Sequence, residues 1–280
     1  MKMKKLGAFA ASFAMVGALA LTGCGNSSTT ATAGSAKADA GSAEAATEMK
    51  LITDGKLTIG TAAEYEPFEY MEDGEYKGFD IELAQALADK LGLELQVENV
   101  DFDTIVPGVA SNTKYDMGIA AITATPEREK EVSFTDSYYM DDQAIVTKKD
   151  NTTVTADNYA DELNKPESKI IVQSGSTAEA FAKENFPNAT LVPLKNATEC
   201  FTALAADQGV AVITNRSVAA QMVAGQFNNE QVIKQISTGE EYAIAVSKDN
   251  PVLKDELNKA LQELQDDGTI DSLMGKYNIK

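Results

Sequence analysis

Apolar and polar positions change rhythm repeatedly along the chain. Leu57–Thr61 alternates with period two, as a half-buried strand does. Ile81, Ala84, Leu87, Ala88 and Leu91 then fall on one helical stripe, with Asp80 placed as N-cap and Gly92 as the stop. Glu94–Val100 reads as a strand, Thr104–Ala110 as a short helix and Tyr115–Ala121 as a buried strand. Thr125-Pro126-Glu127 has the hydroxyl cap, early proline and first-turn acid of a helix start. Gln143–Thr147 is again a strand, and the series restarts. The second run predicts strands at Lys169–Gln173, Thr190–Leu194, Val210–Thr214, Gln231–Ile236 and Tyr242–Val246. Its helices are predicted at Thr177–Phe186, Thr198–Asp207, Ser217–Ala224, Pro251–Gln265 and Thr269–Tyr277. Such alternation predicts an α/β fold with mostly parallel sheets flanked by helices.

The first 48 residues follow a different rule. Lys2, Lys4 and Lys5 precede an uncharged stretch from Leu6 to Leu21, too short for a comfortable membrane span and with signal-peptide polarity. It ends in Leu21-Thr22-Gly23-Cys24, which resembles the lipobox of bacterial lipoproteins; an ordinary secretory signal with a chance cysteine is the alternative. Residues 25–48 are mostly Ser, Thr, Ala, Gly and Glu with no large apolar side chain, a composition that suits a flexible tether. The expected organisation is a signal peptide over 1–23, a tether over 24–48, and a folded part from Met49.

Charge and composition remove several functions. Against 24 basic residues stand 43 acidic ones, a formal charge of −19, which disfavours nucleic acid and anionic lipid as partners. Loss of the three leader lysines would take the mature chain to about −22. Histidine is absent, which excludes Ser-His-Asp and Cys-His catalysis and imidazole-bound zinc. With Cys24 lipidated, Cys200 has no partner and reads as a buried thiol on a helix. No cofactor, metal site or catalytic residue is expected.

Two buried strands end alike, in Ile122-Thr123 and Ile213-Thr214, and each is followed by one of the chain's two arginines, Arg128 and Arg216. Ligands of open α/β sheets bind beyond the carboxyl ends of strands, so two such lobes would bring hydroxyls and an Arg to one cleft. For Arg216 a plain surface role is an equal alternative.

Ala63-Glu64-Tyr65-Glu66-Pro67-Phe68-Glu69-Tyr70 and Gly78-Phe79-Asp80-Ile81-Glu82-Leu83-Ala84 resemble the opening of the bacterial family 3 solute-binding proteins, amino-acid receptors of ABC importers. The match continues through Phe102–Pro107, Tyr115-Asp116, Thr123–Arg128, Phe134–Tyr139, Gln173–Thr177, Glu241–Val246 and Asp267–Ile270. The resemblance implies a type II periplasmic-binding-protein fold. Gln143–Thr147 and Tyr242–Val246 would cross between lobes, with lobe 1 at 49–146 and 240–280 and lobe 2 at 147–239. It also implies a monomer that delivers an amino acid or related small carboxylate to a membrane permease. In relatives the first-lobe Arg, here Arg128, pairs with the ligand carboxylate, and Ser176 and Thr177 at a helix N-terminus would complete that site. Tyr65 and Phe102 match the aromatics that sandwich the ligand side chain, with core packing as the alternative. Thr123 and the Ala121 carbonyl match acceptors for the ligand ammonium, and Gln173 lies where side-chain contacts are usual. Three positions depart. An aspartate that neutralises the ammonium is Asn215, one that serves cationic side chains is Ala62, and a strand-end serine is Ala120. The first change argues against a standard zwitterionic ligand and the second against Lys or Arg, while Glu64 offers compensation unless it is simply solvated. An enzyme of the cyclohexadienyl dehydratase type, on the same fold, is the alternative function.

Overall fold

The computed structural model describes residues 48–279; the expected signal peptide, Cys24 and nearly all of the tether lie outside them. The first half carries β1 (Lys56–Thr61), β2 (Glu64–Tyr65), β3 (Glu69–Glu72), β4 (Glu75–Lys77), α1 (Phe79–Leu91), β5 (Glu94–Asn99), α2 (Ile105–Ala110), β6 (Met117–Gly118) and β7 (Ser133–Phe134). The chain continues through β8 (Tyr139–Lys148), α3 (Tyr159–Leu163), β9 (Lys169–Gln173), α4 (Thr177–Asn185), β10 (Thr190–Leu194), α5 (Ala197–Ala205), β11 (Ala211–Asn215) and α6 (Arg216–Ala224). It closes with β12 (Glu230–Tyr242), β13 (Ala245–Val246), α7 (Pro251–Asp266) and α8 (Thr269–Lys276).

Two five-stranded sheets, ordered β5-β1-β6-β13-β7 and β10-β9-β11-β8-β12, repeat one plan. In each, three strands run parallel, with Ile59 beside Val97 and Met117 in the first and Ile171 beside Val192 and Val212 in the second. The remaining two strands join antiparallel. The period of two explains the layers. Ile170 and Val172 enter one core cluster while Ile171 enters another, and Ala211 and Ile213 oppose Val212 in the same way. In the first sheet Ile244 and Val246 face the α1 and α7 side, whereas Ala245 joins Ile105, Val109 and Ile122 under α2. The result is the expected two-lobed α/β fold.

Of the two expected crossings, Tyr242–Val246 does run between sheets, from the end of β12 in the second to β13 in the first, whereas the other is placed differently. Gln143–Thr147 lies wholly inside the second sheet, paired with β11 and β12. The chain passes between sheets earlier, where Tyr139 pairs with Tyr242 and Thr123 bridges to Tyr242. Phe68, Phe79, Tyr138, Tyr139 and Tyr242 pack here at 5.3–6.5 Å between centroids, edge-on or tilted except for the stacked pair Phe79–Tyr138.

Several local expectations give way to long-range contacts. Asp80 does not cap α1; Gly78 does, at φ 120°, where a Cβ would lie 2.1 Å from the Phe68 carbonyl oxygen. Asp80 is instead fully buried and accepts from the Ala121 N–H at 2.7 Å and the Tyr138 hydroxyl at 2.9 Å. That bond holds Ala121 at φ 47°, which ends the expected Tyr115–Ala121 strand after Gly118. Thr125-Pro126-Glu127 starts only a 3-10 turn at Arg128–Lys130, because the chain must rejoin the sheet at Ser133. The small antiparallel sheet β2-β3-β4 is an addition without an apolar alternation to announce it.

Candidate functional site

Both halves of the site sit at strand ends, and the two lobes touch there directly. Thr123 follows β6 in the first lobe, and Thr214 and Asn215 end β11 in the second. Tyr65, on the two-residue strand β2, reaches across: its hydroxyl donates to Asn215 Oδ1 at 2.7 Å and lies 3.2 Å from Thr214 Oγ1. Arg128 spans the same gap, with Nη1 on the Thr123 carbonyl at 2.7 Å and Nη2 on the Gly175 carbonyl at 3.0 Å. Its guanidinium stacks 5.4 Å from the Phe102 ring centroid, so Phe102 supports the arginine as well as bordering the cleft. Around the rim Ser174 binds Asp103, Lys195 binds Asp101 and Gln221 binds Glu66. The cleft is closed.

At its centre is a carboxylate that the strand pattern did not single out. Glu240 is 7% exposed, and its Oε2 accepts from Thr123 Oγ1 at 2.7 Å, Thr177 Oγ1 at 2.7 Å and Asn215 Nδ2 at 3.0 Å. Its Oε1 accepts from Gln143 Nε2 at 2.5 Å. Three of the expected ligand contacts therefore converge on one protein oxygen. Glu240 is aimed inward by a bulge in β12, where the ladder skips from Ile236 to Glu240. Asp142 holds that bulge by accepting from Ser237 Oγ and from the Thr238 and Gly239 amides, and these bonds draw its pKa below the ordinary carboxylate value despite some desolvation.

Other expected site residues are occupied differently. The Ser176 hydroxyl caps α4, accepting from the Glu179 amide and donating to the Gln173 carbonyl. The Thr177 N–H at the next position is one of the donors that helix geometry leaves unbonded inside the helix. Gln173 is buried with its amide on the Lys195 carbonyl at 3.3 Å. Ala121 is buried beside Thr123 in its left-handed conformation. Arg216 turns away from the cleft and pairs its Nε with buried Asp141 at 3.2 Å, fastening α6 to β8. Glu64 is exposed, as a solvated loop carboxylate would be.

The family profile of the bacterial extracellular solute-binding proteins, family 3, matches residues 57–280. The chain belongs to this family. Among its relatives, the arginine-binding extracellular protein ArtP of Bacillus subtilis is 34% identical over 227 residues, covering 79% of this chain and 86% of that protein. The glutamine-binding protein GlnH of the same organism is 35% identical over 207 residues, covering 73% of each. Among solved structures, an ancestral arginine-binding protein bound to glutamine superposes with TM-score 0.76 at 36% identity, covering 81% of this chain and all of that one. An ancestral amino-acid-binding protein described as a precursor of cyclohexadienyl dehydratase gives TM-score 0.73 at 36% identity, covering 80% and 95%.

Within this family 3 chain the electrostatics of the cleft rest on two groups. Burial pulls the Arg128 pKa down, and Glu240 is the leading charge that offsets it. Among the described residues no carboxylate stands within ion-pair distance of Arg128, and no lysine or arginine within that distance of Glu240. Tyr65 is held neutral, its phenol pKa raised by burial and only partly lowered by its bond to Thr214. Cys200 is buried on α5 and unpaired, its thiol pushed up to about 12 by desolvation.

Proposed function

We propose that this family 3 protein is a lipid-anchored extracytoplasmic receptor that closes on an amino acid and presents it to an ABC permease. The observation that carries the reading is Arg128: a guanidinium without a carboxylate partner among the described residues, bonded to carbonyls of both lobes and next to the first turn of α4. A planar fork in that position suits a bidentate ligand carboxylate, with the Thr177 N–H completing the anion site. Tyr65, Phe102, Ala121, Thr123, Gln173, Ser176, Thr177 and Asn215 form the proposed surround, with Ser176 acting through the α4 cap. The names of the relatives point to arginine and glutamine as first candidates. The names of the relatives also favour a binding protein over an enzyme, and the monomer that the resemblance implies is kept as part of the proposal.

The anchor is proposed at Cys24, on the strength of the basic start, the uncharged core and Leu21-Thr22-Gly23-Cys24, with 24–48 as spacer to lobe 1 (49–146 and 240–280) and lobe 2 (147–239). Among the described residues no helix is long and apolar enough to cross a membrane. Thermal melting against the twenty amino acids tests the reading. A ligand that binds only the native state raises the melting temperature by mass action, so at least one amino acid should do so and be recovered unchanged. No shift with any of them, or turnover of a cyclohexadienyl acid, would overturn it.

A further inference from the structure

We propose that Glu240 is the acceptor for the ligand's ammonium and makes this cleft select a zwitterion over a plain carboxylate. The inference rests on the amino-acid reading above and adds to it the residue that sets the charge preference. Its first support is the arrangement about Thr123. Arg128 Nη1 bonds the Thr123 carbonyl and Glu240 Oε2 bonds the Thr123 hydroxyl, both at 2.7 Å. One residue is thus bracketed by a positive and a negative group, neither of which has a counter-ion within ion-pair distance among the described residues. A ligand with a carboxylate and an ammonium on one carbon supplies both counter-ions at that spacing scale, whereas a hydroxy or keto acid supplies one.

The second support is chemical direction. A carboxylate only accepts, so the Asn215 side chain must turn its NH₂ to Glu240, and the Tyr65 hydroxyl donates to the Asn215 carbonyl oxygen at 2.7 Å on the other side. The Asn215 NH₂ is therefore committed to Glu240 and its Oδ1 to Tyr65. Asn215 positions Glu240 and, as a neutral amide, brings no charge of its own to an ammonium. The hydroxyls of Thr123 and Thr177 donate to Glu240 here but can rotate to accept, so an arriving ammonium keeps them satisfied. Gln143 continues to hold Oε1 from behind. A buried carboxylate with neutral donors alone is costly, and an ammonium within the same shell relieves that cost.

The third support is the built delivery of the side chain. Glu240 is carried out of the regular ladder by the Ser237–Gly239 bulge, one of two irregularities in β12, which is tied to Asp142 with Gly239 at φ 62°. The expected aspartate is missing at 215, and the negative group enters the same space from β12.

Isothermal titration with matched ligand pairs provides the test: L-arginine and L-glutamine, each against its α-hydroxy acid, or the same pairing for whichever amino acid binds. Wild type should favour the amino acid. Glu240→Gln should reduce the amino-to-hydroxy ratio by about ten-fold or more, from the strength of hydrogen bonds to charged groups, with the amino acid losing more affinity than the hydroxy acid. Glu240→Asp, which keeps the charge, should retain most of the preference, and melting curves establish that each variant is folded. An unchanged ratio in folded Glu240→Gln overturns this inference and leaves the functional reading intact. If wild type binds none of the twenty amino acids, the functional reading falls and this inference with it.

Discussion

Lowering the pH from 7.5 to 5 should make this protein harder to unfold, and the pair Asp80 and Glu69 is the reason. Both side chains are fully buried, and their carboxyls face each other at the base of the site. Among the described residues neither Glu69 oxygen nor Asp80 Oδ1 meets a donor, and a proton held between the two carboxyls satisfies that contact. Desolvation raises the Asp80 pKa from 3.8 to about 6, although the Ala121 amide and Tyr138 hydroxyl act to lower it. Glu69 is raised well above its ordinary value, by burial first and by Asp80 second. Native protein therefore binds protons more tightly than unfolded chain. The contribution is complete below the unfolded pKa and is lost as the pH rises through the folded one. For Asp80 alone the shift of about two pKa units corresponds to about 3 kcal/mol in full, of which roughly half is gained between pH 7.5 and pH 5. Glu69 has the same sign. Asp142, Glu179 and Asp267 have lowered values and act oppositely, but they are near the surface and lose their contribution only as the pH falls through the carboxylate range. Urea unfolding at a series of pH values measures the slope, and Asp80→Asn, which keeps the acceptor for Ala121, should flatten it. A wild-type stability that is level or rises from pH 5 to 7.5, or an Asp80→Asn variant with the same slope, would refute the shared-proton argument.

Two further outcomes follow from the site and the leader. Arg128→Ala should weaken amino-acid binding by about 30-fold or more, since truncating one side of a buried charge pair costs about 2–5 kcal/mol. Arg128→Lys should recover little, because an ammonium cannot bond the carbonyls of Thr123 and Gly175 and a ligand carboxylate with one planar fork; unchanged titrations in either variant would move the carboxylate site elsewhere. Cys24→Ala should abolish acylation, read by intact mass, without altering melting of the folded part, and acyl chains on that variant would reject the anchor.

What was legible in the chain follows from the range of the forces involved. The elements from Lys169 onward match their expected bounds closely up to Thr214, because a cap such as Ser176, a run such as Ile170-Ile171-Val172 and a stop are properties of neighbouring residues. Arg128 was visible for the same kind of reason: a rare residue just past a buried strand end. Asp80 was not, since its place at a helix start reads as a cap, and only the fold brings Ala121 and Tyr138 to it.

Glu240 marks the limit most clearly. In Thr238-Gly239-Glu240-Glu241 it reads as one acid in a polar turn, and the one local sign of anything else is the glycine before it. Its burial depends on Thr123, Gln143, Thr177 and Asn215, which lie 25 to 117 residues away in sequence. Taken by position, Asn215 in place of an aspartate argues for a cleft short of one negative charge. Taken in space, the charge is there, 3.0 Å from the Asn215 amide, on a different strand. A ligand responds to the field where its ammonium sits and not to the residue number that generates it. Glu240 thus supplies from β12 what the alignment at 215 lacks, and the field that a ligand ammonium meets is set by Glu240 and Arg128 on either side of Thr123.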